Sequence, residues 1–351
     1  MLIHIASPIT DLQATDEKLL TEALSALARS HRLGHHVLVI KRELSQWIAD
    51  HVDLSKADKS IIREIGQNYT QNGNLIDRAR FFMSVNAGPR KTIQKHDTHI
   101  SVSLDYFADT ALAEPTVFLV EDAIGDGRLY EFILKNLTPA HPSKHPSFEL
   151  AHGGGDRVDD IFGIELDKGR FVACLIDSDR KALCDAEPAK ITRLKRISAE
   201  KSPLSNVHCT PGMEAENFVP ISVFLNVNRN YDKKSAKHLL EIEDKEEPTS
   251  LYDRYWLYFD VKMGTDKAKL GNITTEGWAE WIEKKLELTF AELDEVELSG
   301  FGDQILRNLF RSEEHLELFR QELRKRTWRD LFWDIFDELL WLFFGSKRQV
   351  T

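Results

Sequence analysis

Apolar residues fall into two kinds of run along this chain. Short continuous blocks, LIHIA at 2–6, HVLVI at 36–40, TVFLV at 116–120, FVACLI at 171–176 and VPISVFL at 219–225, have the length of strands and no polar alternation. That pattern predicts strands buried on both faces of a parallel sheet. Other stretches repeat apolar positions every three or four residues, as amphipathic helices do. Leu19, Leu20, Ala23, Leu24 and Leu27 share one face of a helix over 16–30, and helical patterns cover 43–50, 56–66, 126–137 and 188–200. QNGN (71–74) reads as a turn and 138–148, with its Pro and His residues, as loops.

The charged stretch LEIEDKEEPTS (240–250) ends in Pro-Thr-Ser and predicts a linker or exposed hinge. Beyond it, helices are expected over 276–293, 303–325 and 327–344. In the last of these, Trp328, Phe332, Ile335, Leu339 and Leu342 lie on one face, with Asp330, Asp334, Asp337 and Glu338 opposite. Strands alternating with helices make this an α/β chain with a mainly parallel sheet flanked by helices. The expected division is an N-terminal α/β segment (1–113), a central α/β domain (114–239) and a C-terminal helical domain (251–351).

Composition narrows the class. The chain has 351 residues, 42% apolar and 29% charged, which is globular rather than disordered. Its three cysteines, Cys174, Cys184 and Cys209, form no CxxC pair, as suits a reducing compartment. The start MLIHIASPITD lacks the basic and apolar regions of a signal peptide. The longest strongly apolar run, Leu339 to Phe344, is far short of the ~20 residues that span a bilayer. A cytoplasmic protein is expected. The net charge of −11 argues against a protein that coats DNA through bulk charge, so any contact with nucleic acid must come from a local site.

Two of the buried strands end in acid. TVFLV is followed by Glu121, then Asp122 and Asp126, and FVACLI by Asp177-Ser178-Asp179. Ligands of open parallel sheets bind beyond the carboxyl ends of the strands, so neighbouring strands would bring these carboxylates together. Residues i and i+2 of an extended strand point to one side, which lets Asp177 and Asp179 face a common cation. Crowded carboxylates repel, and a hard divalent ion such as Mg²⁺ relieves the conflict. Between the two acids lies His152-Gly153-Gly154-Gly155-Asp156. After them comes Cys209-Thr-Pro-Gly-Met-Glu214-Ala-Glu216-Asn217-Phe-Val-Pro220, whose acids would supply a second metal site or cap a helix.

Taken in order, LVE…D, GGGD, LIDSD and MEAENFVP resemble a TOPRIM domain, and most closely those of the OLD (overcoming lysogenization defect) nucleases and related anti-phage effectors. The resemblance covers about the middle third of the chain. It implies a TOPRIM-like central sheet and an endonuclease dependent on Mg²⁺ or Mn²⁺. Glu121, Asp177 and Asp179 match the catalytic acids, and Glu214 and Glu216 the downstream metal-binding acids. Asp126 matches the acid after the Glu, one residue farther on than the common spacing, and Asp122 stands where many members have Gly. OLD proteins carry an ATPase domain ahead of the TOPRIM part. Here GPRKT (88–92) is no Walker A, so the resemblance implies a nuclease subunit acting with a separate ATPase.

Basic residues follow the Asp-x-Asp. Arg180, Lys181, Lys190, Arg193, Lys195, Arg196 and Lys201 cluster there, and Lys190, Arg193 and Arg196, three apart, would form a helix face toward a phosphate backbone. Lys233, Lys234 and Lys237 are further candidates for stabilising transition-state charge. His96 and His99 have zinc-like proximity, but no second Cys or His pair lies at finger spacing. The expected partners are nucleic acid, an ATPase subunit and another copy of the chain, with no membrane. The competing expectation is a regulatory or scaffold subunit with a degenerate core.

Overall fold

The computed structural model describes residues 1–89, 91–137, 144–181, 185–245, 254–265 and 298–348. The predicted helix at 276–293, Cys184 and residues 246–250 of the expected linker lie outside them.

The N-terminal sheet holds β1 (Leu2–Ile5), β2 (Val37–Val39), β3 (Phe82–Asn86), β4 (Ile93–Lys95) and β5 (His99–Ser103) in the order β2-β1-β3-β5-β4. All pairings are parallel except β4 with β5. The helix Glu17–Leu33 buries Leu20, Ala23, Leu24 and Leu27. Asp16 caps its start by accepting from the Leu19 N–H at 2.9 Å, and Gly34 ends it with a left-handed φ of 83°.

The central sheet is fully parallel. It contains β6 (Thr116–Val120), then, past the short β7 (Lys144–Pro146), β8 (Phe148–His152), β9 (Val172–Ile176) and β10 (Ser205–Cys209), in the order β10-β9-β6-β8. The chain places β8 on one side of β6, then crosses back to place β9 on the other. β6 and β9 therefore flank the point where strand order reverses, the usual ligand position in such sheets. Both are buried along their whole length.

The structure is α/β with helix-flanked parallel sheets and a C-terminal helical region, as expected. Several elements differ from the sequence reading. VPISVFL is no strand: Pro220 fixes the first turn of a helix over Ile221–Val227, where a proline without N–H costs nothing. The remaining sheet positions go to FELAH and SNVHC, edge strands that leave Glu149 and His152 exposed and Asn206 and His208 half-buried. The expected hinge begins inside a helix, Lys233–Lys245, because Leu239 and Ile242 are buried. The expected helix over 303–325 is two, Ile305–Leu309 and Glu313–Arg324, separated at 310–312.

The helix Arg326–Leu342 buries Trp328, Phe332, Phe336 and Leu339 within the chain itself. Phe332 and Phe336 lie 4.9 and 5.0 Å from Phe218. Its acidic face is also engaged: Arg80 pairs with Asp334 at 2.7 Å and with Asp337 at 2.6 Å, and Asn206 donates to Glu338. β13 (Phe344–Ser346), which follows β11 (Gly264–Thr265) and β12 (Leu298–Ser299) in the chain, then pairs antiparallel with β7. The Met1 amine donates to the Phe344 carbonyl at 2.7 Å, and Ser346 N–H to Gly34 at 3.2 Å. One apolar core runs through all three segments of the chain. Among the described residues no helix is long and apolar enough to cross a membrane.

Candidate metal centre

The loop after β6 is built by its acids. Asp122, exposed, accepts from the N–H groups of Ile124 (2.9 Å) and Gly125 (3.1 Å), turning the chain into the helix Asp126–Asn136. Asp126 opens that helix, buried, and accepts from Asp122 N–H at 3.2 Å. The turn absorbs the extra residue between Glu121 and Asp126. The glycines after β8 lace this loop down, with Gly153 N–H donating to the Val120 carbonyl at 2.7 Å and Gly154 N–H to the Glu121 carbonyl at 3.2 Å. A Cβ on Gly153 would lie 2.9 Å from that Val120 oxygen, so only glycine allows the approach.

At the end of β9, Asp177 N–H donates to the Glu121 carboxylate at 3.2 Å. Ser178 is buried and anchored to Thr210 (2.9 Å) and to the Gly212 carbonyl. Asp179 turns left-handed, with φ 52°, its N–H on the Met213 carbonyl at 2.9 Å. The same-side geometry expected of Asp177 and Asp179 is thus lost beyond the strand end. Asp177 is held among the other acids, whereas the Asp179 side chain is 64% exposed. A left-handed non-glycine residue at such a point is the kind of strain that collects at functional sites.

Glu214 and Glu216 arrive on the loop after β10. Asn217 fixes it, accepting from Glu214 N–H (2.8 Å) and donating to the carbonyls of Trp256 (2.6 Å) and Phe259 (2.9 Å). Glu216 is 3% exposed.

Two ammonium groups enter this acid cluster. Lys190 Nζ reaches both oxygens of Glu121, at 2.7 and 2.8 Å, and Asp179 at 3.4 Å. Lys262 Nζ lies 2.7 Å from Glu214 and 3.0 Å from Glu216. Lys262 is invisible to motif reading: it stands alone in YFDVKMG, in a segment expected to be helical and separate. Tyr130 was likewise missed. Its hydroxyl is buried near Asp177, Asp126, Glu216 and Glu121, without a hydrogen-bond partner among the described residues.

The electrostatics follow. Burial raises Asp126 to about 6, with Asp122 and Glu121 adding to the rise and Lys262 opposing it. Burial, then Asp126, Glu121, Glu216 and Glu214, push Asp177 well above the carboxylate range. Glu214 rises to about 7 through burial and Glu216, against the pull of Lys262. Burial raises Glu216 as well. Both lysines are held above their ordinary range, the carboxylates outweighing burial.

The structure thus brings together Glu121, Asp126, Asp177, Glu214 and Glu216, with Asp179 at the rim. Among the described residues, no three His, Cys, Asp or Glu side chains stand in a ready-made coordination arrangement, and the two ammonium groups lie against Glu121, Glu214 and Glu216. The basic candidates scatter. Lys190 turns inward, Arg193 pairs with Asp159, Lys195 with Glu187, Arg196 lies 3.9 Å from Glu200, and Lys201 lies 2.7 Å from Asp167. The expected phosphate-facing row of Lys190, Arg193 and Arg196 is therefore mostly paired within the chain. Lys181 is exposed and Arg180 half-buried beside the Asp-x-Asp, while Lys233, Lys234 and Lys237 lie exposed on their helix, Lys237 at 3.5 Å from Glu241. His96 and His99 stack on each other with centroids 4.3 Å apart, and His99 stacks on Phe82.

In comparisons with known proteins, no family model matches this chain, and no curated protein or solved structure is significantly similar to it.

Proposed function

We propose that this chain is a metal-dependent endonuclease that cleaves phosphodiester bonds of nucleic acid, a TOPRIM-type effector of anti-phage defence that works with a separate ATPase. The observation that supports it best is the meeting of Glu121 and Asp177 at the strand-order reversal, with Asp126 and Glu216 closing on them. The donor set fits a hard divalent cation, Mg²⁺ or Mn²⁺: all donors are carboxylate oxygens, they crowd, and Glu216 Oε2 is buried with no partner. Asp126, Asp177 and Glu216 would hold the ion, with Glu121 beside them. When bound, it would supply positive charge to a phosphate and acidify a water. Lys190, already between Glu121 and Asp179, is placed to meet a phosphate oxygen at the rim. The loops after β6 and β9 hold the acids in register.

A second reading, a non-catalytic subunit that binds an ATPase, draws support from the same lysines, which already neutralise Glu121, Glu214 and Glu216. Incubating the purified protein with plasmid, single-stranded DNA and total RNA, each with Mg²⁺, Mn²⁺ or EDTA, separates the two. The nuclease reading expects cation-dependent cleavage of at least one substrate, lost in Glu121→Gln and Asp177→Asn. Undiminished cleavage by the double variant, or none by the wild type with its ATPase present, would overturn it.

A further inference from the structure

We propose that Lys262 takes the place of a second divalent ion, so that each chain binds one cation, on the Asp126–Asp177 side of the cluster. This rests on reading the cluster as a metal centre. It departs from what the TOPRIM resemblance implies for Glu214 and Glu216.

Both Glu214 oxygens are already engaged: Oε1 accepts from Val261 N–H at 3.1 Å and Oε2 from Lys262 at 2.7 Å. Glu216 gives Oε1 to Lys262 at 3.0 Å and keeps Oε2 buried and unpartnered. Among the described residues, neither Asp126 nor Asp177 has an ion-pair partner. The cluster is therefore divided. One half pairs directly with an ammonium, whereas Asp126 and Asp177 make no direct ion pair among the described residues.

Lys262 is also held from behind. Val261, beside it, is fully buried, and its carbonyl accepts from Phe301 N–H at 2.7 Å. The Lys262 carbonyl accepts from Gly302 N–H at 3.0 Å. These bonds fix where the Lys262 stem starts, and the pair of contacts to Glu214 and Glu216 holds its ammonium in the cluster. A second divalent ion at Glu214 would have to share a space already holding a positive charge. Lys190 projects from the helix Ala189–Lys201 and pairs instead with Glu121 and Asp179.

The test is the number of ions bound. Mn²⁺ titrations followed by calorimetry and by electron paramagnetic resonance count sites and detect exchange coupling between neighbouring ions. The wild type should bind one Mn²⁺ per chain without a coupled signal. Lys262→Met, which keeps the stem and removes the charge, should bind two and show coupling; Lys262→Arg should stay at one. Lys262→Gln serves the same purpose should the methionine variant fail to fold. Two ions in the wild type would overturn this inference while leaving the metal centre standing. One ion in a folded Lys262→Met or Lys262→Gln would also overturn it. No Mn²⁺ bound by wild type, with Asp177→Asn behaving identically, would remove the metal centre itself.

Discussion

Asp126 keeps its proton to about pH 6, whereas the unfolded chain releases it near the usual aspartate value of about 4. Between those values the folded state binds the extra proton, so stability of the metal-free protein falls as pH rises through this window. One such proton gives a slope of at most about 1.4 kcal/mol per pH unit. Urea midpoints measured in EDTA from pH 4 to 8 should show the decline, and Asp126→Asn should remove its own share, leaving that of Asp177, Glu214 and Glu216. A wild type that gains stability over this range would contradict the assignment. Tyr130 offers a second check at the same scale. Its ring packs between Phe118 and Phe218, with centroids 5.9 and 5.8 Å away, but its hydroxyl finds no partner among the described residues. Tyr130→Phe keeps the packing and removes a buried unsatisfied group, so the melting temperature should hold or rise, by up to the equivalent of about 1–3 kcal/mol. A fall of that size would mean that the hydroxyl has a role in the folded protein.

At the scale of elements, the junction between Gly34 and β13 is tight. A Cβ on Gly34 would lie 2.1 Å from the Ser346 carbonyl oxygen, and the residue already sits at φ 83°. Gly34→Ala therefore combines left-handed strain with a backbone clash. It should cost more than the ~1 kcal/mol usual for a helix-terminating glycine, read as a lowered urea midpoint with unchanged slope. Much at this scale was legible in the sequence. TVFLV and FVACLI are β6 and β9, and the helices after them start within a residue of expectation, because continuous apolar runs and 3.6-residue periodicity report burial directly. FELAH and SNVHC escaped because edge strands of a sheet are half wet, and their polar residues look like loop. VPISVFL misled for another reason: a seven-residue helix that buries Ile221, Val223 and Phe224 is too short to show a 3.6-residue period. In the site, the acids at strand ends were readable from strand position alone. Lys262 was not, since only the tertiary fold carries it across to Glu214 and Glu216.

For the whole molecule, the helix Arg326–Leu342 covers the central sheet and β13 reaches the N-terminal one. Deleting residues 326–351 would expose Tyr130, Phe118 and Phe218 together. Each large side chain returned to water is worth about 1.5–3 kcal/mol, so the three together remove a large share of the roughly 5–15 kcal/mol of net stability in a typical protein. The truncated chain should aggregate or lose its cooperative melt, as followed by light scattering and calorimetry. A soluble truncation with the wild-type melting profile would mean that the helix is dispensable to the core.

The contact between Met1 and Phe344 has a consequence for synthesis. The two partners are 343 residues apart, so at ribosomal rates of about 5–20 residues per second the first strand waits from some seventeen seconds to over a minute for its closing neighbour. The acids of the cluster, Glu121 to Glu216, all emerge before Lys262 does. During translation the nascent chain thus carries a full set of like charges whose later counter-charge has not yet been made. Assembly of the centre is therefore a late event, ordered by the direction in which the message is read.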